Sequence, residues 1–298
     1  MKFLAKSAIP LLRKVGIEVV NVLVNNAITF FVFKKLGLFQ AVFVMYPANA
    51  SYADHFTFRW RQRRIKFTPF VIGMFTHPSG ARTLSFAISA DENEIRASSS
   101  PDELRGLNDH TTAIADTIGA KTVHYAGIIP GRMNFLRIPR SPVEQEATKE
   151  QVVRAVASIK QKLDLLKVPK VILLGHKGYV GREVFASLLK QGVDVVGVDV
   201  GDTFFAPDEV HVVLNVTKPE AINRYIDHFN RHTILLNEVY PAPHRDILKQ
   251  IKERGASAFH IAGVKSDAFP PFPAAYKGAV PCCGAIPGEN YEIVFKEL

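Results

Sequence analysis

Cysteine is nearly absent. The 298-residue chain has two, and they are neighbours, Cys282 and Cys283. Such a pair cannot staple a fold, and with no CxxC pairs there is no zinc framework. A reducing, cytoplasmic setting and no metal are therefore expected. The histidines show no HExxH or comparable ligand spacing. Internal repeats, low-complexity tracts and a signal-peptide cleavage pattern are also missing. With 47% apolar and 22% charged residues, the composition excludes a disordered chain, a collagen-like repeat and a polytopic membrane protein. The length suits one large domain or two ordinary ones.

Acidic side chains are scarce in one region. Residues 1–66 carry eleven Lys and Arg against Glu18 and Asp54, and the remaining residues balance to zero, so the whole net charge of +9 lies there. This polarity predicts an acidic partner: an anionic phospholipid surface, an acidic carrier protein or, less in keeping with the pattern, a nucleic acid. Val15–Phe33 is apolar and long enough to span a bilayer. However, Glu18, Asn21, Asn25 and Thr29 form a polar stripe at helical spacing, and basic residues flank both ends. The segment reads as an amphipathic helix that lies on a membrane or packs on a core or an oligomer partner. In Phe56–Lys66, an extended chain would put Phe56, Phe58 and Trp60 opposite Arg59, Arg61 and Arg63. That arrangement suits a lipid interface, and equally an edge strand with a solvated basic side.

Strand-like runs follow at Ala41–Tyr46, Phe70–Phe75 and Leu84–Ile88. A helix is expected from a Ser100 cap to Ile118, then a strand Val123–Tyr125, a loop Ala126–Asn134 and a long helix Val143–Leu166. From Pro169 the rhythm changes. Val171–Leu174, Val193–Val198, Val210–Leu214, Thr233–Leu236 and Ala256–Ile261 read as buried strands, with helices at Tyr179–Lys190, Pro219–Phe229 and His244–Arg254. The fold class is α/β: a C-terminal Rossmann-type parallel sheet over 146–298, a smaller N-terminal α+β domain over 39–145 that would bind substrate, and an amphipathic helical segment over 1–38.

The first of these C-terminal strands runs into Gly175-His176-Lys177-Gly178-Tyr179-Val180-Gly181, which opens a helix. In a GxxGxxG turn, Gly175 permits the tight bend, Gly178 lets backbone approach a pyrophosphate, and Gly181 allows close helix–strand contact. The helix N-terminus adds oriented N–H groups and partial positive charge. The next strand ends at Asp199, placed to accept hydrogen bonds from both ribose hydroxyls. Strand, glycines, helix, strand and acid in this order predict dinucleotide binding. Asp199 would repel a 2′-phosphate, favouring NAD(H) over NADP(H), unless Lys177 or another basic group folds over that phosphate. Asn215 and Asn237 at strand ends, with Gly263, complete the cofactor candidates.

Three later stretches carry a family likeness: Leu235-Leu236-Asn237-Glu238-Val239-Tyr240-Pro241, Ile261-Ala262-Gly263-Val264 and Val280-Pro281-Cys282-Cys283. In this order behind the glycine turn, they resemble the cofactor domain of the long-chain acyl-[acyl-carrier-protein] reductases, which form fatty aldehydes. Upstream, Tyr125-Ala126-Gly127-Ile128 is similar to a glycine-rich substrate loop. The resemblance implies an acyl-accepting cysteine, Cys283 ahead of Cys282 because the family's cysteine lies two residues after a proline; a thiolate is a good acyl acceptor and leaving group. His260, Lys265 or Tyr276 could tune that thiol or protonate the product. Asn237, Glu238 and Tyr240, at and past a strand end, are candidates near the nicotinamide. Two buried cysteines acting as small apolar residues fit the sequence equally. The chain departs from the family where Gly284-Ala285-Ile286-Pro287-Gly288 replaces a helix-like stretch, and where Asp199 opposes the family's NADPH preference.

The function these features imply is an NAD(P)-dependent reductase or dehydrogenase of a fatty acyl thioester or fatty aldehyde. It would be cytoplasmic and peripheral on a membrane, or docked to an acyl carrier protein through residues 1–66, with homo-oligomerisation open. A soluble NAD-dependent dehydrogenase of a small metabolite and a non-catalytic NAD(H) sensor are the alternatives.

Overall fold

Short apolar runs bounded by glycine, proline and asparagine become the strands of two separate sheets. The computed structural model describes residues 2–47, 53–54, 57–60, 65–97, 101–272, 276 and 278–298, with backbone only for 2–10 and 13. The chain divides into two units, Met1–Glu144 with Ser266–Phe272, and Gln145–Lys265 with Pro273–Leu298. Residues 1–38 are thus part of the first unit. The sequence suggests a smaller N-terminal domain, but the two units are nearly equal in length.

The first unit opens with helices α1 (Lys2–Val24) and α2 (Ala27–Leu36), followed by strands β1 (Ala41–Met45), β2 (Phe70–Thr76) and β3 (Arg82–Ala87). Helices α3 (Glu92–Ala97) and α4 (Pro101–Ile118), strand β4 (Thr122–Tyr125) and helix α5 (Ile129–Phe135) complete its main run. In α4, Leu104, Leu107, Thr111, Ile114 and Ile118 recur at helical spacing and are buried, and Gly119 ends the helix at φ 75°. They face β1 and β3 through Val42, Val44 and Phe86.

The single helix expected over Val15–Phe33 is two helices bent by 79°. The Asn26 side chain caps α2 by accepting from the Thr29 amide at 3.0 Å. Asn21 leaves the expected stripe to bind β2: its Nδ2 donates to the Val71 carbonyl at 2.7 Å and its Oδ1 accepts from the Val71 amide at 2.8 Å. A buried carboxamide thereby satisfies both polar groups of one strand residue. The loop expected at Ala126–Asn134 contains α5. In the basic run 56–66, Phe56 and 61–64 lie outside the described residues, and Arg59 and Trp60 are helical, not extended. The Ser100 cap also lies outside them.

The second unit contains α6 (Val143–Lys162, from Gln145 onward), β5 (Lys170–Leu174), α7 (Gly181–Lys190), β6 (Val195–Val198) and β7 (His211–Asn215). After these come β8 (Thr233–Asn237), α8 (Arg245–Glu253) and β9 (Ser257–Lys265). The chain then lends β10 (Asp267–Phe269) to the first sheet, antiparallel to β2, before β11 (Ala279–Val280) and β12 (Ile293–Glu297) pair antiparallel with β9. The first sheet runs β10-β2-β3-β1-β4, with β1 parallel to β3 and β4.

In the second sheet β6-β5-β7-β8-β9 are all parallel. This is a doubly wound Rossmann-type order whose direction reverses between β5 and β7, so a ligand crevice opens at the carboxyl ends of those strands. The helix expected over Pro219–Phe229 is instead two short 3-10 turns, Pro219–Arg224 and Ile226–His228, and β6 reaches β7 without a helix. These short crossovers leave the crevice walled by turns.

Candidate cofactor site

Gly175 ends β5 at φ 87°, a conformation that glycine adopts at least cost, and a Cβ there would stand 2.6 Å from Thr217 Cβ. The Gly178 amide donates to the Gly175 carbonyl at 2.9 Å, closing the turn. A Cβ on Gly181 would overlap that same carbonyl oxygen, so α7 starts pressed against the turn. Val180 is its N-cap residue and makes no side-chain cap bond. The cradle is therefore built of backbone, with α7 aimed at it. Gln145 of α6 braces it by donating to the Tyr179 carbonyl.

Asp199 closes the opposite side. Its Oδ1 accepts from the Val200 amide at 2.9 Å and its Oδ2 from the Lys177 amide at 3.1 Å. Partial burial opposes its charge, yet these two amides and the nearby His176 and Lys177 hold the carboxyl below its ordinary value. Two of a carboxylate's roughly four acceptor positions remain for ribose hydroxyls. A cavity of about 310 Å³ lies beside it, lined among others by Gly175, Asp199, Thr217, Lys218, Arg224 and Tyr225. A backbone cradle, an ionised acid and a cavity at the sheet's reversal point fit the adenosine and pyrophosphate half of a dinucleotide.

The carboxyl edge of the sheet continues as one polar row. Asn215, Asn237 and His260 are register partners on β7, β8 and β9. Asn215 Nδ2 donates to Asn237 Oδ1 at 2.9 Å, and Asn237 Nδ2 lies 3.0 Å from His260 Nδ1. Asn215 also holds the turn after β7, donating to the Lys218 carbonyl at 3.1 Å and accepting from the Thr217 amide. It therefore shapes the cavity wall from behind. Burial pushes His260 down to about 4, so the ring is neutral at pH 7, and among the described residues its Nε2 has no hydrogen-bond partner. Tyr240 meets the His260 ring edge-on at 4.2 Å, stacks on Tyr276 at 4.6 Å and donates to the Ala262 carbonyl.

Glu238, one residue beyond β8, is strongly perturbed: burial raises its carboxyl from 4.5 to about 8. Cys282 lies in a short 3-10 turn, Cys282–Gly284, close enough to feel that carboxyl. Burial and Glu238 push its thiol well up, the reverse of an activated nucleophile. Cys283 keeps partial exposure. Lys265 turns to solvent and pairs with Glu292 at 2.8 Å. Gly263 sits at φ 136° because the Val280 carbonyl occupies the space of its Cβ, so its immediate role is close contact between β9 and β11.

Thr217, Lys218 and Arg224 were not legible as site residues. Gly197 was missed too, although its signal was present: a glycine inside the apolar run of β6, where the His176 ring fills the space of a Cβ. Among the described residues no three His, Cys, Asp or Glu side chains gather into a metal site. In the first unit, Gly127 of the expected substrate loop lies against Tyr46, whose hydroxyl accepts from the Ile128 amide at 3.1 Å.

Residues 171–250, from β5 through most of α8, match the NAD dependent epimerase/dehydratase family. The matched stretch contains the glycine turn, Asp199 and the row as far as Asn237. The second unit has an NAD(P)-binding type of fold. A comparison with curated protein sequences finds no match. Similar solved structures include a shikimate dehydrogenase in complex with NADP+, at 12% identity over 85% of this chain and 92% of that one, TM-score 0.43. A quinate dehydrogenase from Corynebacterium glutamicum in complex with NAD is similar at 15% identity over 74% of this chain and 87% of that one, TM-score 0.36. A NAD-dependent malic enzyme from Thermotoga maritima is similar at 15% identity over 81% and 71%, TM-score 0.36.

Proposed function

We propose that this chain is an NAD(H)-dependent oxidoreductase whose second unit holds the dinucleotide between the Gly175–Gly181 turn and Asp199. The observation that carries the reading is the backbone cradle, with no room for a Cβ at Gly181, hydrogen-bonded through the Lys177 amide to an ionised Asp199 beside a cavity at the sheet's reversal point. Lys218 and Arg224 line the same cavity, but the carboxylate fixed by two amides is what favours a 2′-hydroxyl over a 2′-phosphate. When bound, the nicotinamide supplies a hydride to a carbonyl carbon or takes one from an alcohol.

The chain's own task is then the proton. With burial raising it to about 8, the Glu238 carboxyl is held mainly protonated at pH 7. It sits beyond a strand's carboxyl end, where open parallel sheets bring ligands, and can give its proton to a developing alkoxide oxygen. The neutral, buried His260 and the Asn215–Asn237 pair keep that edge in place.

We further propose a fatty aldehyde as substrate. Of the fatty acyl thioester and fatty aldehyde classes suggested by the motif order, the aldehyde–alcohol couple needs one hydride and one proton and no thiolate. A buried Cys282 with a raised thiol suits that couple better than acyl transfer. The apolar outer surface of α1 and α2 supports a lipid substrate.

The test is fluorescence titration with NADH and NADPH, then 340 nm assays with a long-chain aldehyde, a long-chain acyl thioester and a set of small polar carbonyls. Tighter NADH binding with aldehyde turnover fits the proposal. An acyl adduct on Cys283 in mass spectra would restore the acyl-enzyme route. Turnover of small carbonyls alone would overturn the lipid substrate, and binding of neither nucleotide would overturn the whole reading.

A further inference from the structure

Helix α1 is apolar on two opposite sides. Ile17 and Asn21 are buried against the β2 side of the first unit, while Leu11, Leu12, Val15, Val19, Val22 and Leu23 are exposed. At 3.6 residues per turn these six fall within about 120° of arc on the far side. Helix α2 repeats the pattern: Phe30 is buried in the core, and Ile28, Phe31, Val32 and Leu36 are exposed. Together the two stripes leave on the order of 1,000 Å² of aliphatic and aromatic surface open, above the few hundred a monomer ordinarily shows.

The bend between the helices is closed off by its own side chains. Asn26 Nδ2 and Thr29 Oγ1 both donate to the Leu23 carbonyl, at 2.8 and 3.1 Å, and Asn26 Oδ1 accepts from the Thr29 amide. Backbone groups satisfied in this way can face lipid, where unpaired ones cannot. No single helix among the described residues is long and apolar enough to cross a membrane, and the bent pair passes only as a broken element.

Charge decides the occupant. The stripes belong to the first 66 residues, with eleven basic against two acidic side chains, and Lys35 lies 5.4 Å over the Phe31 ring within the apolar patch. A second copy would set the same positive charge against itself. An acidic carrier protein would answer the charge and leave the aliphatic stripes uncovered. We propose that the α1–α2 elbow is a monolayer-inserting surface that docks the first unit on an anionic phospholipid bilayer.

Flotation of the full chain tests this with phosphatidylcholine vesicles, alone or with one-third phosphatidylserine, at low and half-molar salt. Flotation with the anionic vesicles, weakened by salt, is expected. Leu12→Glu with Val22→Glu should weaken it at least tenfold, and Lys35→Glu by about tenfold. All three positions are outside the core, and an unchanged NADH titration and circular dichroism spectrum would show that the variants fold. Flotation unchanged in the Glu pair would overturn the proposal. So would a failure to float with either vesicle, whether sedimentation then shows a dimer or an acidic acyl carrier protein is bound instead.

Discussion

Between pH 6.5 and 8 the folded chain should lose stability through one carboxyl, that of Glu238. Burial raises it from 4.5 to about 8, so between those values the folded chain holds a proton that the unfolded chain has released. Stability therefore falls as pH rises across that interval. The whole shift corresponds to about 5 kcal/mol at ~1.4 kcal/mol per unit, a ceiling because the side chain is partly solvated. His260 works the other way. Lowered from 6.5 to about 4, it binds its proton first in the unfolded chain, and stability falls as pH drops from 6.5 towards 4. The two slopes oppose each other between 4.5 and 6.5, which leaves 6.5 to 8 as the window where Glu238 acts without His260. One proton over that window is at most about 2 kcal/mol, or roughly 4–8 °C in melting temperature for units of this size. Differential scanning fluorimetry of the wild type and Glu238→Gln across the window measures it. The wild type should melt progressively lower as pH rises, and the glutamine variant should stay flat over the same range. Equal slopes in the two proteins would refute the assignment of the proton to Glu238.

Three further outcomes follow from the site. Gly181→Ala places a methyl group on the Gly175 carbonyl; overpacking of about 1–3 kcal/mol should lower the melting temperature by several degrees, and NADH affinity should drop with it in the same titration. Asp199→Asn removes the charge that ribose hydroxyls would meet; at about 1.5–3 kcal/mol for charged hydrogen bonds, NADH binding should weaken by tenfold or more and NADPH binding much less. Cys282→Ala should leave aldehyde turnover within about threefold of wild type, because a buried, raised thiol is no nucleophile; a complete loss in a correctly folded variant would return the cysteines to the chemistry.

Fold legibility followed burial. The central strands β5, β7 and β8 of the second sheet are buried on both faces, and Val171–Leu174, Val212–Leu214 and Leu235–Leu236 are apolar throughout, so hydrophobic runs were enough to find them. Helix α4 was equally plain because its buried positions recur every three or four residues. What stayed hidden depends on contacts distant in sequence. Nothing local marks Asn21 as the partner of Val71, fifty residues away. The three-residue β10 is too short to carry a pattern, and it belongs to the first unit only because β2 has a free edge there. Pro219–Phe229 has helical spacing, but its neighbours hold it in two 3-10 turns.

Site legibility divided along similar lines. The glycine turn and Asp199 could be read because each must satisfy a local geometric demand: a tight bend, close backbone contact, or an acid at a strand end. The members of the polar row could be named singly, each as a polar residue interrupting or ending an apolar run, but not as a row. Asn215, Asn237 and His260 become one feature only when parallel pairing brings β7, β8 and β9 into common register. A one-residue slip of β8 would turn Asn237 to the other face and strand two buried polar groups. The Asn215–Asn237 hydrogen bond therefore fixes register as well as the wall behind Thr217 and Lys218. With α7 packed against Gly175 on one side and this row set by strand pairing on the other, the crevice at the β5–β7 reversal point is shaped by backbone geometry. Glu238 follows Asn237, the middle member of that row, where the burial that raises its carboxyl is set by the fold itself.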